Sequence, residues 1–259
     1  VDFSHYNTFW RDIPAFDKYI ARGQSFLQSG KPDNDVLVYW PVQDVWAQQN
    51  RSLVYQLTIG NAVQWLSPTP FHEVGEQLMS AGYSFDYISD NYLQKIKIQN
   101  GLLQVTGAAY KALIIPSCHF IPEKTLQQIL QLAQAGATII FADQLPLDVP
   151  GLYQLQQRRM NLKKVKKIIS SNNSFDEENK KNIGKGIIIT GKNINNLMQL
   201  ANIKAEGFSK AGLQYIRRKD ADGYIYFIAD LEDNNIDKWV SLATDATSAV
   251  IYNAYNGTA

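Results

Sequence analysis

Aromatic side chains and carboxylates follow four short apolar runs in this sequence of 259 residues. The candidate binding residues lie directly after those runs and are Trp40, Asp44, Trp46, Asp90, His119 and Asp143. An indole can stack on the apolar face of a sugar ring, and sugar hydroxyls need hydrogen-bond acceptors, so this set predicts a carbohydrate site. The competing interpretation, which the residue types favour, is structural. In it the Trp rings pack beneath helices and the carboxylates cap helix ends.

The adjacent pair Cys118-His119 suggests a second chemistry, because a nucleophilic thiolate needs a nearby base. Neighbouring residues rarely place the imidazole on the sulfur, and no glycine-rich elbow surrounds the cysteine. A buried or rim thiol is therefore the favoured interpretation. A Cys-dependent, amidotransferase-like enzyme is kept as an alternative.

Several function classes are disfavoured by composition and spacing. The three histidines, at 5, 72 and 119, show no metal-site spacing, and no Walker or dinucleotide motif occurs, so no metal or cofactor is expected. The single Cys cannot form an intramolecular disulfide. Lys and Arg number 25 against 24 Asp and Glu, a net charge of +1, which favours neither nucleic acid nor a membrane surface as partner. The basic run at 158–167 is interpreted as a solvated helix face, and no apolar run is long enough to cross a membrane.

The elements that must hold these residues alternate between strand and helix. Helical spacing of apolar residues predicts helices over 10–29, 71–81 and after Pro122, with a weaker helical pattern over 50–66. Apolar runs predict strands at 35–40, 85–89, 112–116, 137–141 and 187–189, with a short strand or hairpin at 101–106. Such alternation predicts an α/β fold with an open, mostly parallel, doubly wound sheet of the flavodoxin or class I glutamine-amidotransferase type. Because ligands bind outside the carboxyl ends of parallel strands, the candidate residues would share one edge.

The periodicity changes near residue 211. Strands are predicted at 213–218, 224–231, 239–242 and 249–255, with Asp222-Gly223 as a hairpin turn. The chain is accordingly divided into a lead-in helix at 1–30, an α/β domain at 31–210 and a partial antiparallel, β-sandwich-like domain at 211–259. A basic and polar insertion is placed at 151–183, and 170–183 is expected to form an exposed, mobile loop.

The order of several stretches resembles the region after the catalytic barrel in large bacterial glycoside hydrolases, above all the family 106 α-L-rhamnosidase-like enzymes. The stretches are 7–10 (NTFW), 19–22 (YIAR), 27–30 (LQSG), 35–41 (DVLVYWP), 82–90 (GYSFDYISD), 110–116 (YKALIIP), 136–138 (GAT) and 224–229 (YIYFIA). The middle part is also similar to the glutamine-amidotransferase-like domain of family 42 β-galactosidases. There that domain is structural, takes part in oligomerisation and lacks the nucleophile.

The resemblance implies an accessory, non-catalytic part of a carbohydrate-degrading enzyme. It would support the catalytic barrel of the same polypeptide and could form one wall of the sugar site, with a homo-oligomer as a further option. His5 and Trp10 would then approach the parent active site. The family also implies a periplasmic or extracellular location. The sequence has no eight-fold barrel, because 259 residues minus the β segment leave no room for one. No motif here matches the family's catalytic glutamates, so the catalytic residues are not assigned. A stand-alone carbohydrate-binding module is the alternative.

Overall fold

A computed structural model describes residues 4–47, 58–169, 175–232 and 236–259. The helices are α1 (Ile13–Leu27), α2 (Val42–Ala47), α3 (Ala62–Trp65), α4 (Pro70–Ala81), α5 (Asp90–Leu93), α6 (Glu123–Ala135), α7 (Leu155–Ile169) and α8 (Ile194–Leu200). The strands are β1 (Lys31–Pro32), β2 (Val36–Tyr39), β3 (Phe85–Ile88), β4 (Lys97–Gln99), β5 (Leu102–Val105), β6 (Ala108–Tyr110), β7 (Ala112–Ile115), β8 (Thr138–Ala142), β9 (Asn179–Ile183), β10 (Gly186–Gly191), β11 (Leu213–Lys219) and β12 (Tyr224–Asp230). The main helices and strands of the α/β region agree with the sequence prediction. Of the weaker helical pattern, 50–57 lies outside the described residues.

A mixed α/β arrangement is built around a six-stranded, mostly parallel sheet with the order β3-β2-β7-β8-β10-β9. The five strands from β3 to β10 pair in parallel, and β9 pairs antiparallel with β10 at one edge. Taken by chain position, the five parallel strands follow the order 2-1-3-4-5, so the direction of winding reverses between β2 and β7. In such sheets the reversal opens a crevice at the carboxyl ends of the two strands.

Two hydrophobic cores cover the two faces of this sheet. On one face Leu37 and Leu113 pack with residues of α6 and α7. On the other face Val36 and Ile114 pack with residues of α4 and α8. Every residue of β2 and β7 is buried, because helices lie on both sides. This explains why these strands read as unbroken apolar runs rather than as alternating patterns.

The polar stretch at 170–183 contains a strand as well as a loop, so the prediction of a mobile loop is wrong for 179–183. Residues 179–183 form β9, which adds antiparallel to β10 through a turn at Gly184 and Lys185. Gly184 has a φ of +59°, and a Cβ there would meet the backbone of Gln134 at 2.6 Å. The strand was missed because an edge strand with a solvated face carries little apolar signal. Residues 170–174 lie outside the described residues.

The C-terminal region forms less sheet than predicted. β11 and β12 form the expected hairpin, but 239–242 and 249–255 contain no regular strand, so these two strand predictions are wrong. The third strand of this small sheet is instead β1, which pairs antiparallel with β11 from the other end of the chain. The apolar residues at 249–255 that suggested a strand include Val250 and Ile251, whose side chains are exposed. The short strand or hairpin predicted at 101–106 is the strand β5, which pairs with β4 and β6 in a second antiparallel sheet.

A buried ion cluster joins β11 to the parallel sheet. The Arg217 guanidinium donates to Asp33 Oδ2 at 2.7 Å, Glu206 Oε1 at 2.7 Å and Asp35 Oδ1 at 3.0 Å. Asp35, Glu206 and Arg217 are all buried. Burial by itself lowers the pKa of the guanidinium, but the neighbouring carboxylates outweigh it and the net shift of the Arg217 pKa is upward. The β11–β12 hairpin is therefore attached to the α/β region through a mostly buried charge cluster, in which Asp33 alone of the three carboxylates is partly exposed.

Candidate functional site

Asp44 lies at the point where the winding of the sheet reverses. It belongs to α2, directly after β2, and its carboxylate accepts hydrogen bonds from the backbone N–H groups of His119 and Phe120, both at 2.6 Å. Those two residues lie in the loop after β7. Both carboxylate oxygens therefore bridge the two sides of the crevice, and Asp44 is engaged in holding the loops together rather than free to accept from a ligand.

Asp90 is engaged in a similar way. Its Oδ1 accepts from the hydroxyl of Tyr39 at 2.9 Å and from the hydroxyl of Thr125, which lies in the first turn of α6. Burial, followed by the neighbouring Asp90 charge, raises the pKa of Tyr39 well above its usual value. The hydroxyl therefore stays protonated and keeps donating to the carboxylate. These bonds tie β2, α5 and α6 together at the carboxyl edge.

The two candidate Trp residues have different environments. Trp40 is half-buried, with its ring centroid 4.4 Å from Phe71 and 5.9 Å from Trp65. Phe71 in turn lies 4.5 Å from Tyr87, so Trp40 is part of an aromatic cluster under α4, as the structural interpretation predicts. Trp46, on α2, is 60% exposed. Of the two rings, Trp46 has the free indole face that stacking on a sugar requires.

His119 and Asp143 are exposed at the same edge of the sheet. His119 follows β7, and its ring lies 4.3 Å from Phe120. Asp143 follows β8 with a φ of +71°, and its N–H donates to the carbonyl of Gly191 at 2.7 Å. Since β2, β7 and β8 are neighbours in the sheet, Trp46, His119 and Asp143 follow three adjacent strands. These are the candidate residues whose side chains remain available to a ligand.

Cys118 is buried, and its environment opposes nucleophilic chemistry. Its side chain is 2% exposed, and burial followed by the charges of Asp44 and Asp90 raises the pKa of the thiol. A neutral thiol without solvent access is a poor nucleophile. The amidotransferase-like alternative required an accessible Cys118, so the structure contradicts it.

The model of the glycoside hydrolase family described as alpha-L-rhamnosidase, family 106, matches residues 2–259. The chain belongs to this family.

Relatives of the family 106 chain are considerably longer than it is. A protein of Formosa agariphila named "Putative beta-glucuronidase" is 27% identical over the whole chain, which spans 19% of the length of that relative. Among solved structures, a β-galactosidase from Bacillus circulans sp. alkalophilus is similar over 88% of the chain and 40% of its own length, with a TM-score of 0.55 and 11% identity. The family 42 β-galactosidase Gan42B is similar over 88% and 39%, with a TM-score of 0.52 and 11% identity. At this identity the two structures support the fold alone.

An ion pair that the sequence did not indicate holds the rim of the family 106 chain. Arg159, within the basic run on α7, forms a two-pronged salt bridge with Asp148. The hydrogen bond from Arg159 is the main cause that lowers the pKa of Asp148. The backbone N–H of Asp148 donates to the carbonyl of His119 at 2.8 Å, so the pair supports the loop that carries His119. Helical spacing located α7 but could not show that one of its six basic residues has a partner 11 positions earlier.

His5 and Trp10 lie away from these loops along the chain. Both precede α1, both are exposed, and the ring of His5 packs 3.9 Å from that of Tyr6. The 3-10 turn that begins at Trp10 leads directly into α1, and α1 packs against β12 of the C-terminal sheet. Within the described ranges, no group of three or more His, Cys, Asp or Glu residues is arranged to hold a metal ion. No described helix has the length and apolar character needed to span a membrane.

Proposed function

We propose that the family 106 chain is an accessory, non-catalytic region of a larger enzyme that hydrolyses glycosides. The observation that carries the proposal is that three carboxylates at the carboxyl edge of the sheet are bonded internally, which leaves Asp143 as the available one among the candidate residues. Asp44 caps two backbone N–H groups, Asp90 accepts from Tyr39 and Thr125, and Asp148 pairs with Arg159. Glycoside hydrolysis generally requires two carboxyl groups that flank the scissile bond, one of them able to give up a proton. The share of the relative that the chain spans, 19%, leaves ample length for such a pair elsewhere.

A further pair of carboxylates lies on helix α4. Glu73 and Glu76 lie one turn apart on α4, and both are exposed. The buried side of this helix carries Phe71, Val74 and Leu78, which pack on the sheet. The two glutamates therefore occupy the solvated face of a core helix and do not line the crevice between β2 and β7. Their position supports the non-catalytic proposal.

The finer fold assignment is part of this proposal. The strand order 2-1-3-4-5 supports a flavodoxin-like or glutamine-amidotransferase-like α/β domain over 31–210. A lead-in helix at 1–30 and a β domain beginning at 211 complete the proposed division. The insertion at 151–183 is well integrated, since α7 packs on α6 and β9 extends the sheet. In the parent enzyme the α/β domain would support the catalytic barrel.

The proposal is tested by comparing the purified 259-residue chain with the complete polypeptide of its reading frame. Aryl α-L-rhamnoside, aryl β-glucuronide and aryl β-galactoside serve as substrates, because these are the classes named for the family and its relatives. We expect turnover of at least one substrate by the complete polypeptide and none by the 259-residue chain. Turnover by the short chain that disappears on substitution of one of its carboxylates would overturn the proposal.

The exposed Trp46 supports two versions of a sugar-binding role. In the first, Trp46, His119 and Asp143 form one wall of a site completed by the catalytic domain. In the second, the chain is a stand-alone carbohydrate-binding module. Titration calorimetry of the 259-residue chain with millimolar sugars separates them. Binding that is lost in Trp46→Ala and kept in Tyr153→Ala, which removes an exposed aromatic ring from a loop before α7, would favour the stand-alone module.

The same proposal extends to partners and location. The partners would be carbohydrate, bound through the parent enzyme, and the catalytic barrel of the same polypeptide, with a homo-oligomer as a further option. A net charge of +1 supports the proposal that neither nucleic acid nor a membrane surface is a partner. A periplasmic or extracellular location is proposed from the family alone. Fractionation of cells that produce the complete polypeptide would test it.

A further inference from the structure

Helix α1 has no buried residue, in contrast to the other helices of seven or more residues in the described part of the chain. It runs for 15 residues. Ile13, Ile20 and Leu27 are half-buried, as expected for the side that packs on β12, while Phe16 is 54% exposed. A helix this short is marginal in isolation and depends on tertiary contacts for stability. Phe16 lies about one turn from Ile13 and Ile20 on the same side of α1, and the contacts within the described residues leave it the most exposed member of this apolar stripe.

The C-terminal segment lies beside helix α1 and also carries exposed apolar side chains. The ring of Tyr252 packs 4.9 Å from that of Phe26, and Arg22 donates to the carbonyl of Tyr255 at 2.7 Å. These contacts hold residues 252–255 against α1. The exposed apolar side chains just before and within the first turn of α1 and in this C-terminal segment, here called together the α1 surface, are Trp10, Phe16, Val250, Ile251 and Tyr255. Monomeric proteins rarely leave large apolar patches in water unless they bind something.

We propose that the α1 surface is the face on which the catalytic domain of the same polypeptide docks. This inference rests on the proposed function and specifies it, since it separates the docking face from the edge that carries Trp46 and His119. The chain spans 19% of the glucuronidase relative and 40% of the first β-galactosidase, so most of each longer protein lies outside the matched region. A covalently attached domain has a millimolar effective concentration, so a patch of this modest kind suffices to hold it. A second copy of the chain would lack this advantage.

Hydrogen–deuterium exchange tests the docking directly. The exchange rates of peptides covering 13–27 and 249–255 are compared in the 259-residue chain and in the complete polypeptide. We expect exchange at least about tenfold slower in the complete polypeptide, because docking removes water and limits opening. Equal rates in the two proteins would overturn the inference.

A matched pair of variants controls the interpretation. Phe16→Lys in the complete polypeptide should return the exchange of 13–27 to the rates seen in the short chain. Met160→Lys changes a side chain of similar exposure, 51%, on α7, and should leave the protection intact. Circular dichroism of the short chain with Phe16→Lys checks that α1 still folds.

Two other results bear on the inference. If the short chain is a dimer by light scattering and Phe16→Lys makes it a monomer, a second copy is the occupant and the inference is wrong. The glycosidase assay tests the proposed function independently of the docking face. Activity in the complete polypeptide but not in the short chain, together with equal exchange rates, would retain the proposed function and reject this docking face.

Discussion

The chemistry available to each side chain at the carboxyl edge depends on which of its atoms are already bonded. Asp44 accepts two backbone N–H groups at 2.6 Å, whereas Asp143, after the neighbouring strand β8, is exposed. The two residues look equivalent in the sequence, since each is an aspartate after an apolar run. Asp44 is a structural bridge, and Asp143 remains a candidate to contact a ligand.

Asp44→Asn should reduce the stability of the fold. The amide offers a single, uncharged acceptor, so one of the two N–H groups of His119 and Phe120 loses its partner and the other bond weakens. Hydrogen bonds to charged groups are the stronger ones, and the expected loss in the free energy of unfolding is about 1–3 kcal/mol. Urea denaturation measures it. Asp143→Asn is the control, because Asn tolerates a positive φ and the expected change is within about 0.5 kcal/mol. Equal effects would contradict the assignment of Asp44.

The thiol of Cys118 should react very slowly in the folded protein. Burial raises its pKa, so at pH 8 the folded state presents a neutral thiol with no access to reagent. Alkylation by iodoacetamide should be at least about a hundredfold slower than in 8 M urea, where the thiol has its ordinary pKa of about 8.5. Mass spectrometry after timed quenching gives both rates. Rapid labelling under native conditions would contradict the buried environment.

At the scale of elements, the joint between the α/β region and the C-terminal hairpin is a buried charge cluster. Arg217 on β11 contacts Asp33 and Asp35, which precede β2, and Glu206, which precedes β11. The second carboxylate oxygen of Glu206 accepts from the N–H of Ala243 at 2.7 Å, so the cluster also anchors the segment after β12. These elements come from distant parts of the chain and meet at one guanidinium.

Arg217→Met should destabilise the protein by about 3–5 kcal/mol, because it leaves the buried Glu206 carboxylate without its countercharge and leaves Asp35 with Lys111 alone. Arg218→Met is the comparison. Arg218 donates to the carbonyls of Ser29 and Gly30, which are neutral and lie near the surface, so a loss of about 1 kcal/mol is expected. Chemical denaturation of the two variants gives the ranking. A larger effect at Arg218 would show that the cluster does not hold the joint.

At the scale of the whole molecule, the raised pKa values of several tyrosines make the stability of the fold depend on pH in the alkaline range. Burial raises the pKa of Tyr215 to about 12. Burial, followed by hydrogen bonds to Asp86 and Glu206, also raises the pKa values of Tyr110 and Tyr226. In the unfolded chain all three have the ordinary value of about 10. Their contribution to stability is therefore complete below pH about 9 and declines as the unfolded state begins to lose protons near pH 10.

The melting temperature should accordingly fall steeply between pH about 9.5 and 11. Thermal melts followed by circular dichroism, with absorbance at 295 nm to report tyrosinate, measure the two processes together. Tyr215→Phe should flatten this slope, although it also removes the hydrogen bond from the Tyr215 hydroxyl to the carbonyl of Gly82. Tyr153→Phe, at an exposed position, should leave the slope unchanged. A melting temperature independent of pH up to 11 would contradict the prediction.

The local periodicity of the sequence determined the α/β alternation, the buried strands β2 and β7 and the hairpin β11–β12. Each of these leaves a local pattern of apolar residues in the sequence, even where, as for β2 and β7, the partner strands lie far along the chain. The family resemblance was also readable from the order of short stretches, and the match over 2–259 confirms it.

Tertiary structure alone decided which candidate residues remain free, because hydrogen bonds between distant positions leave no periodic signal. The separation is 75 residues for Asp44 and His119 and 184 for Arg217 and Asp33. The edge strand β9 and the pairing of β1 with β11 were equally hidden, since their stability comes from a partner strand rather than from their own composition. The residue types predicted that the carboxyl edge of the parallel sheet is rich in aromatic rings and carboxylates. Long-range hydrogen bonds decided which of these side chains bridge parts of the fold and which remain available to a ligand.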